Sequence, residues 1–173
     1  RGFLLSGALA NLTWQTLAAE QNNGVTVVRL GGSLGLTGDY ETEARYALRG
    51  AILLAETVNA TKLFKGPRGT TLAVSLHIED DNSNPYDVWD IYDRMSTGRK
   101  VDFFLGPYSS ALSWAAAEVA TQSQILTMMI GAATPFIYKQ GSPYIFTTSV
   151  MAPTYMSSGL EALWKKGART LAF

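Results

Sequence analysis

Two spacing patterns of hydrophobic residues alternate along the chain. Short, almost continuous apolar runs predict buried strands. These runs lie at Val25–Leu30, Thr71–Ile78, Val101–Leu105 and Ile125–Ile130. Between them, apolar residues recur at the three- and four-residue spacing of a helix with one buried face. The predicted helices span Glu41–Asn59, Pro85–Met95, Ser110–Thr121 and Pro153–Lys166. We also expect a short extended crossing segment at Ser142–Ser149 and the beginning of another strand at Thr170–Phe173.

This strand–helix alternation predicts the fold class. Strands that alternate with helices form a parallel sheet with helices on both faces. Strands buried on both faces are continuously apolar rather than alternating, as the runs here are. We therefore expect an α/β fold with a doubly wound parallel sheet.

The first 22 residues differ from the rest. Arg1 precedes a mostly apolar stretch, and the small residues Ala8 and Ala10 follow it, which is typical of a secretory signal. The alternative is an amphipathic N-terminal helix packed on the domain. The stretch is too short and too polar to span a bilayer. The absence of an initiator Met, and a final strand with no helix after it, lead us to expect a piece of a longer protein.

Composition excludes several classes of function. The 173 residues carry 14 basic and 14 acidic side chains, without a basic cluster, so a nucleic-acid partner is not expected. There is no cysteine, which excludes disulfides and thiolate chemistry. The single histidine, His77, lies in an apolar run and is expected to be a strand residue with a satisfied ring. A His-based metal site or catalytic triad is therefore a poor interpretation.

Candidate chemistry lies in the loops that follow the strands, because ligands of open parallel sheets bind at the carboxyl ends of the strands. Four loops qualify: GGSLGLTGDY, EDDNSNP, GPYSS and GAATP. Ser109 and Ser110 fall at a helix start, where free N–H groups and the helix dipole favour an anion. Thr134 offers another hydroxyl. The alternative is structural, since serine is a common helix cap and Gly-Pro an ordinary turn.

Catalytic or nucleotide-binding patterns are weak. The glycines of GGSLGLTG miss the dinucleotide-binding spacing, and no phosphate-binding P-loop is present. Glu79, Asp80 and Asp81 could bind a divalent cation, but such a cluster is more often a solvated loop whose carboxylates cap the next helix. No nucleophile, base and orienting residue occur together. We therefore expect no enzyme, no cofactor and no metal.

Six motifs in order resemble one family. They are LTGDY, GAILLAETVNA, IEDDNSNP, VDFFLGPYSS, GAATP and GSPYIFTTS. From about Val25 to its end, the chain resembles the amino-terminal part of type I periplasmic ligand-binding proteins, meaning the branched-chain amino-acid (Leu/Ile/Val) binding proteins and their receptor relatives. The resemblance implies two α/β lobes that close on a ligand. It places the first lobe at residues 23–148, and the hinge crossing and start of a truncated second lobe at residues 149–173.

The resemblance also implies site residues. Ser109 would hold the ligand α-carboxylate with its hydroxyl and N–H, beside Ser110. Ala132 and Thr134, with Ala133 between them, would contribute a backbone group and a hydroxyl. Tyr108 would line the side-chain pocket.

The chain departs from the family pattern at two places. Glu43 stands where an aromatic residue often covers the ligand, with Tyr40 three residues earlier. Ala152 stands where relatives often have aspartate. These departures favour an amino acid other than leucine, or a small amide.

The function that follows is binding of a small ligand, most simply an amino acid, on the extracellular or periplasmic side of a membrane. The partner would be a membrane transporter or, in a receptor, a signalling domain. Two alternatives stay open at this point: a metal-dependent α/β enzyme using Asp80, Asp81 or Glu43, and a cytosolic amide or amino-acid sensor.

Overall fold

The computed structural model describes residues 24–170, and these residues contain one five-stranded, fully parallel sheet. The strands are β1 (Val25–Leu34), β2 (Thr71–Asp80), β3 (Phe103–Leu105), β4 (Thr127–Met129) and β5 (Ile145–Thr147). Their order in the sheet is β2-β1-β3-β4-β5. The expected α/β class with a doubly wound parallel sheet is confirmed.

Five α-helices connect or follow the strands. They are α1 (Glu41–Thr61), α2 (Pro85–Ser96), α3 (Ser110–Ser123), α4 (Pro135–Lys139) and α5 (Ser157–Lys165). Side-chain caps fix several helix starts. Asn84 accepts a hydrogen bond from the Tyr86 N–H at 2.9 Å, and Pro85 occupies the first position of α2, where its missing N–H removes no helical bond. Pro85 therefore begins a helix as the sequence predicts.

The strand order reverses direction at β1. The chain moves from β1 outward to β2, then crosses back over β1 to β3 and continues to β4 and β5. Right-handed crossovers then place α1 on one face of the sheet and α2 and α3 on the other. The carboxyl ends of β1 and β3 flank the reversal point, where doubly wound sheets form their binding crevice.

The main core lies between the sheet and the layer formed by α2 and α3. Phe104, Met129 and Ile145 contribute from the strands. Helix α2 contributes Val88, Ile91, Tyr92 and Met95, which recur at the three- and four-residue spacing of a helix with one buried face. Helix α3 contributes small residues such as Ala116 and Ala120, whose size lets the two helices approach closely.

The structure corrects several boundaries. Strand β1 continues to Leu34, so the first four residues of the predicted glycine-rich loop are strand residues paired with β2. The crossing segment contains a true sheet strand, since Ile145–Thr147 pairs in parallel with β4. The short helix α4 begins at Pro135, the last residue of GAATP, and was not predicted because five residues are too few to show a helical spacing of apolar residues. Helix α5 begins at Ser157, after a separate 3-10 turn at Ala152–Thr154.

Two further predictions concern the ends of the chain. The signal-like segment at residues 1–22 lies outside the described residues, as does the predicted last strand apart from Thr170. Across residues 24–170, no helix combines the length and apolarity needed to cross a membrane.

Candidate ligand-binding site

The loops after β1, β3 and β4 meet at the carboxyl edge of the sheet, and we call this region the rim (residues 35–40, 106–110 and 131–134). Tyr40 and Tyr108 lie in the loops after β1 and β3, the two strands whose carboxyl ends flank the reversal point. Their ring centroids are 5.9 Å apart with an interplanar angle of 63°, an edge-to-face contact. The rim thus carries an aromatic pair where the strand order changes direction.

Ser109 occupies the position between β3 and α3. It is the N-cap residue of α3, and its Oγ accepts a hydrogen bond from the Leu112 N–H at 3.2 Å. Among the described residues its hydroxyl hydrogen has no acceptor. The N–H groups of Ser110 and Ala111, in the first turn of the same helix, have no intrahelical partner. One hydroxyl and two backbone N–H groups are therefore available to an acceptor at this helix start.

The backbone of Ser109 is strained. Its φ of 83° and ψ of 150° fall in a region that is almost confined to glycine. A hydrogen bond between residues before and after Ser109 holds this backbone geometry. Ser113, buried in α3, donates its hydroxyl to the carbonyl of Pro107 at 3.1 Å. Strain of this kind concentrates at functional sites, where surrounding contacts enforce it.

The GAATP loop lies directly beside the GPYSS loop. Tyr108 forms an isolated parallel bridge with Gly131. A Cβ at Gly131 would lie 2.8 Å from the Tyr108 Cα and 3.1 Å from the Ser109 N, so only glycine permits this approach. The two turns that the sequence analysis expects to cooperate are therefore adjacent.

Within GAATP, the three candidate residues play different structural parts. Ala132 is fully buried, and its carbonyl accepts a hydrogen bond from the Tyr138 hydroxyl at 2.9 Å. Burial raises the pKa of Tyr138, so this hydroxyl stays a donor. Thr134 caps α4, with its Oγ1 at 3.5 Å from the Phe136 N–H. The carbonyl of Ala133 accepts from the Ala152 N–H at 2.9 Å, which ties the outgoing chain to the rim.

The acidic side chains Asp39 and Glu43 lie in or next to the rim loops. Glu43 is exposed on the first turn of α1. Within the rim loops themselves the only charged side chain is Asp39, which is also exposed. An anion at the rim would accordingly meet hydroxyl and backbone donors rather than a basic side chain.

The acidic cluster is not the solvated loop that the sequence predicts, since Glu79 and Asp80 are the last residues of β2. Asp81 is fully buried, and its carboxylate accepts from the Ser33 hydroxyl at 2.6 Å and the Ser83 N–H at 3.0 Å. Burial raises the pKa of this carboxyl, against the lowering effect of those hydrogen bonds. The cap of α2 is supplied by Asn84, not by the carboxylates.

The metal alternative required Asp80, Asp81 or Glu43. Asp80 accepts hydrogen bonds from Thr37 and from the Asn82 N–H, so it braces the loops. In residues 24–170 there is no group of three or more histidine, aspartate or glutamate residues placed to hold a metal ion. His77, which lies in β2, contacts Glu79 at 3.0 Å, in agreement with its expected structural role.

Sequence reasoning missed three features: the strain at Ser109, the burial of Asp81 and the close approach at Gly131. A glycine directly after an apolar strand was a signal for the third. The burial of Asp81 had no local signal, because it depends on Ser33 of a separate strand. The positive φ of Ser109 had none either, because serine rarely adopts that conformation.

The sequence of the chain matches a known protein family. A family model described as "periplasmic binding protein" matches residues 27–173. The chain belongs to the periplasmic binding protein family. The match includes all five strands except the first two residues of β1.

Several solved structures have a similar fold. A substrate-binding protein of an ABC transporter from Sphaerobacter thermophilus has a TM-score of 0.72 and 22% identity over 83% of this chain and 38% of its own. The LivJ protein from Streptococcus pneumoniae, solved with isoleucine, has a TM-score of 0.63 and 21% identity over 79% of this chain and 39% of its own.

A third neighbour binds a different compound. It is a solute-binding protein of an ABC transporter from Rhodopseudomonas palustris, solved with 3,4-dihydroxybenzoic acid, with a TM-score of 0.61 and 23% identity over 82% of this chain and 37% of its own. The chain thus spans less than two fifths of each of these three neighbours.

Proposed function

We propose that this chain forms one lobe of an extracytoplasmic solute-binding protein, and that its rim binds the carboxylate of a small ligand, an amino acid in the first instance. The observation that carries the proposal is the start of α3. There the Ser109 hydroxyl and two N–H groups without an intrahelical partner lie beside the GAATP loop at the reversal point of the sheet.

The absence of a basic side chain in the rim loops supports a neutral cradle for the anion. Hydroxyl and N–H donors with the positive end of a helix dipole stabilise a carboxylate without a bulky cation. Ser109, Ser110, Ala132, Ala133 and Thr134 would surround the carboxylate in this arrangement.

The aromatic pair would shape the remainder of the pocket. Tyr108 is half-buried beside Ser109, and Tyr40 packs edge-on against its ring. Glu43, one helical turn from Tyr40, would lie near the entrance, where a carboxylate could meet a ligand ammonium. A second lobe closing over the rim would complete the site.

Ligands of the neighbours support a carboxylate as the shared group. Isoleucine and 3,4-dihydroxybenzoic acid differ in size, charge and polarity, but each carries one carboxylate. The binding partner in turn would be a membrane transporter or, in a receptor, a signalling domain. The test is calorimetry of the full-length protein against the amino acids, their small amides and a series of benzoates.

Binding of an amino acid would support the proposal in full, and binding of benzoates alone would move the ligand class to aromatic acids. Failure of every carboxylate to bind would contradict it. Fractionation of the native host's cells, with detection of the protein in the extracytoplasmic fraction, tests the location. A cytosolic pool alone would favour the sensor alternative.

The first site prediction concerns Ser109. Ser109→Ala removes a hydrogen bond to a charged group and should weaken binding by about 1.5–3 kcal/mol, roughly 10- to 150-fold in Kd. Ser109→Gly also lacks the hydroxyl but relieves the strained φ, so it should lose similar affinity while being the more stable variant. The matched control is Ser123→Ala at the far end of α3, whose hydroxyl bonds within its own helix. An unchanged Kd in Ser109→Ala would remove Ser109 from the site.

A further inference from the structure

The loop after β2 is fastened to the rim through one serine. Ser83 lies outside the three rim loops, yet its Oγ accepts the Tyr40 N–H at 3.1 Å and donates to the Thr37 carbonyl at 2.7 Å. A single hydroxyl therefore holds both ends of the turn that leads into α1.

The position of the Ser83 hydroxyl depends on the backbone conformation of residues 82 and 83 and on Asp81. Ser83 and the preceding Asn82 have φ values of 57° and 50°, the left-handed conformation that non-glycine residues seldom adopt. The buried Asp81 fixes that conformation by accepting the Ser83 N–H, while its other oxygen accepts from Ser33 of β1. The serine is thereby attached to both strands beneath it.

The rim loop packs directly onto Ser83. A Cβ at Gly35 would lie 2.5 Å from the Ser83 Oγ. A Cβ at Gly38, whose φ is 83°, would lie 2.7 Å from the Asn82 carbonyl oxygen. No side chain separates the two loops at these positions, so a shift of Ser83 is transmitted to the backbone before Tyr40.

Tyr40 is the residue that this anchor controls. It is the last residue before α1, and its ring contacts Tyr108 next to Ser109. Only its backbone N–H bonds to Ser83, so the anchor fixes the position from which the ring projects.

We propose that Ser83, held by Asp81, is a positioning residue for the ligand pocket: it fixes Tyr40 against Tyr108 and so sets the shape of the space beside the carboxylate cradle. This inference rests on the proposed function for its consequence in binding. The anchoring itself can be measured without a ligand.

The experiment compares Ser83→Ala in two backgrounds, wild type and Tyr40→Ala, in the full-length protein. The rate of hydrogen exchange at the Tyr40 amide measures whether its hydrogen bond to Ser83 is present. Calorimetry with the tightest-binding compound of the panel measures the effect of that bond on Kd. Ser83→Ala should speed exchange at Tyr40 at least about tenfold and weaken binding about tenfold, because the donor loses its acceptor. In the Tyr40→Ala background the same change should alter Kd less than twofold, since coupled residues are non-additive.

Two controls separate positioning from general stability. Ser96→Ala, at the other end of α2, removes a hydroxyl that bonds only to the Asp93 carbonyl of its own helix, and should change neither readout. Asp81→Asn keeps an oxygen that accepts the Ser83 N–H, so it should retain the slow exchange at Tyr40 and most of the affinity.

Several outcomes would overturn the inference. Unchanged exchange at Tyr40 in Ser83→Ala would show that the anchor is absent. Equal losses of affinity in both backgrounds would show that Ser83 does not act through Tyr40. If the wild-type protein binds no panel compound, the proposed function fails, and the anchor is still decided by the exchange rate.

Discussion

Within residues 24–170, the two faces of the sheet differ in how completely they are covered, although both belong to the same five strands. Phe104 is 1% exposed and Phe103, its neighbour in β3, is 39% exposed. Successive strand residues point to opposite faces, so this pair samples both. Phe104 meets the layer of α2 and α3, whereas on the face of Phe103 the helix that packs within residues 24–170 is α1, over β1 and β2.

The open part of the second face is apolar. Met128 and Phe146 are register partners in β4 and β5, and they are 36% and 47% exposed. Phe103 extends this surface along β3. The apolar composition of a strand therefore predicts that it lies inside a sheet. It does not predict how much of each face is shielded from water, because that depends on which helices pack there.

The largest effect should come from breaking this difference with one pair of substitutions. Phe104→Ala removes a fully buried ring and should lower the free energy of unfolding by about 3–5 kcal/mol. Phe103→Ala should lower it by only about 1–2 kcal/mol, because part of that ring is already in water. Urea unfolding of both variants measures the difference. Equal losses would mean that the two faces are covered alike.

A second prediction concerns the open face in solution. The chain expressed alone should self-associate through the exposed apolar surface. Phe146→Ser should reduce this association several-fold, as measured by light scattering or sedimentation across a concentration series. Phe136→Ser is the control, since Phe136 is 67% exposed on α4 and lies off the sheet. A monomeric wild-type chain at high concentration would contradict the prediction.

The smallest effect concerns two aspartates in different surroundings. Burial raises the pKa of Asp81, whereas the hydrogen bond from Arg29 lowers the pKa of the half-exposed Asp102. A raised pKa favours the folded protein at low pH, and that advantage disappears as the pH rises above about 4. A lowered pKa has the opposite sign, and its stabilisation is lost as the pH falls below about 4.

Asp81→Asn should therefore gain stability relative to wild type as the pH rises from about 3 to 7, and Asp102→Asn should lose it. Thermal unfolding of the three proteins at a series of pH values provides the measurement. Parallel pH profiles for the two variants would show that the carboxyls share one environment.

The sequence by itself determined the α/β class, the parallel sheet and most helix bounds, because periodicity and caps are local properties. The start of α2 at Pro85 follows from Asn84 and Pro85 themselves, and its buried face follows from the helical spacing of apolar residues inside that helix. The same reasoning placed Ser109 at a helix start and GAATP after a strand. Each of these inferences needs only residues that are close together in the sequence.

Only the tertiary structure decided which loops touch and which side chains are buried. The burial of Asp81 beside Ser33, the Ser83 anchor on Tyr40 and the close approach of Gly131 to Tyr108 all arise from contacts between segments that are distant in sequence. The edge strand at Ile145–Thr147 likewise depends on β4 as its partner. A local sequence pattern determines whether a helix or strand forms. Which other elements it contacts is determined by packing across the whole sheet, and a single stretch of sequence carries no information about that packing.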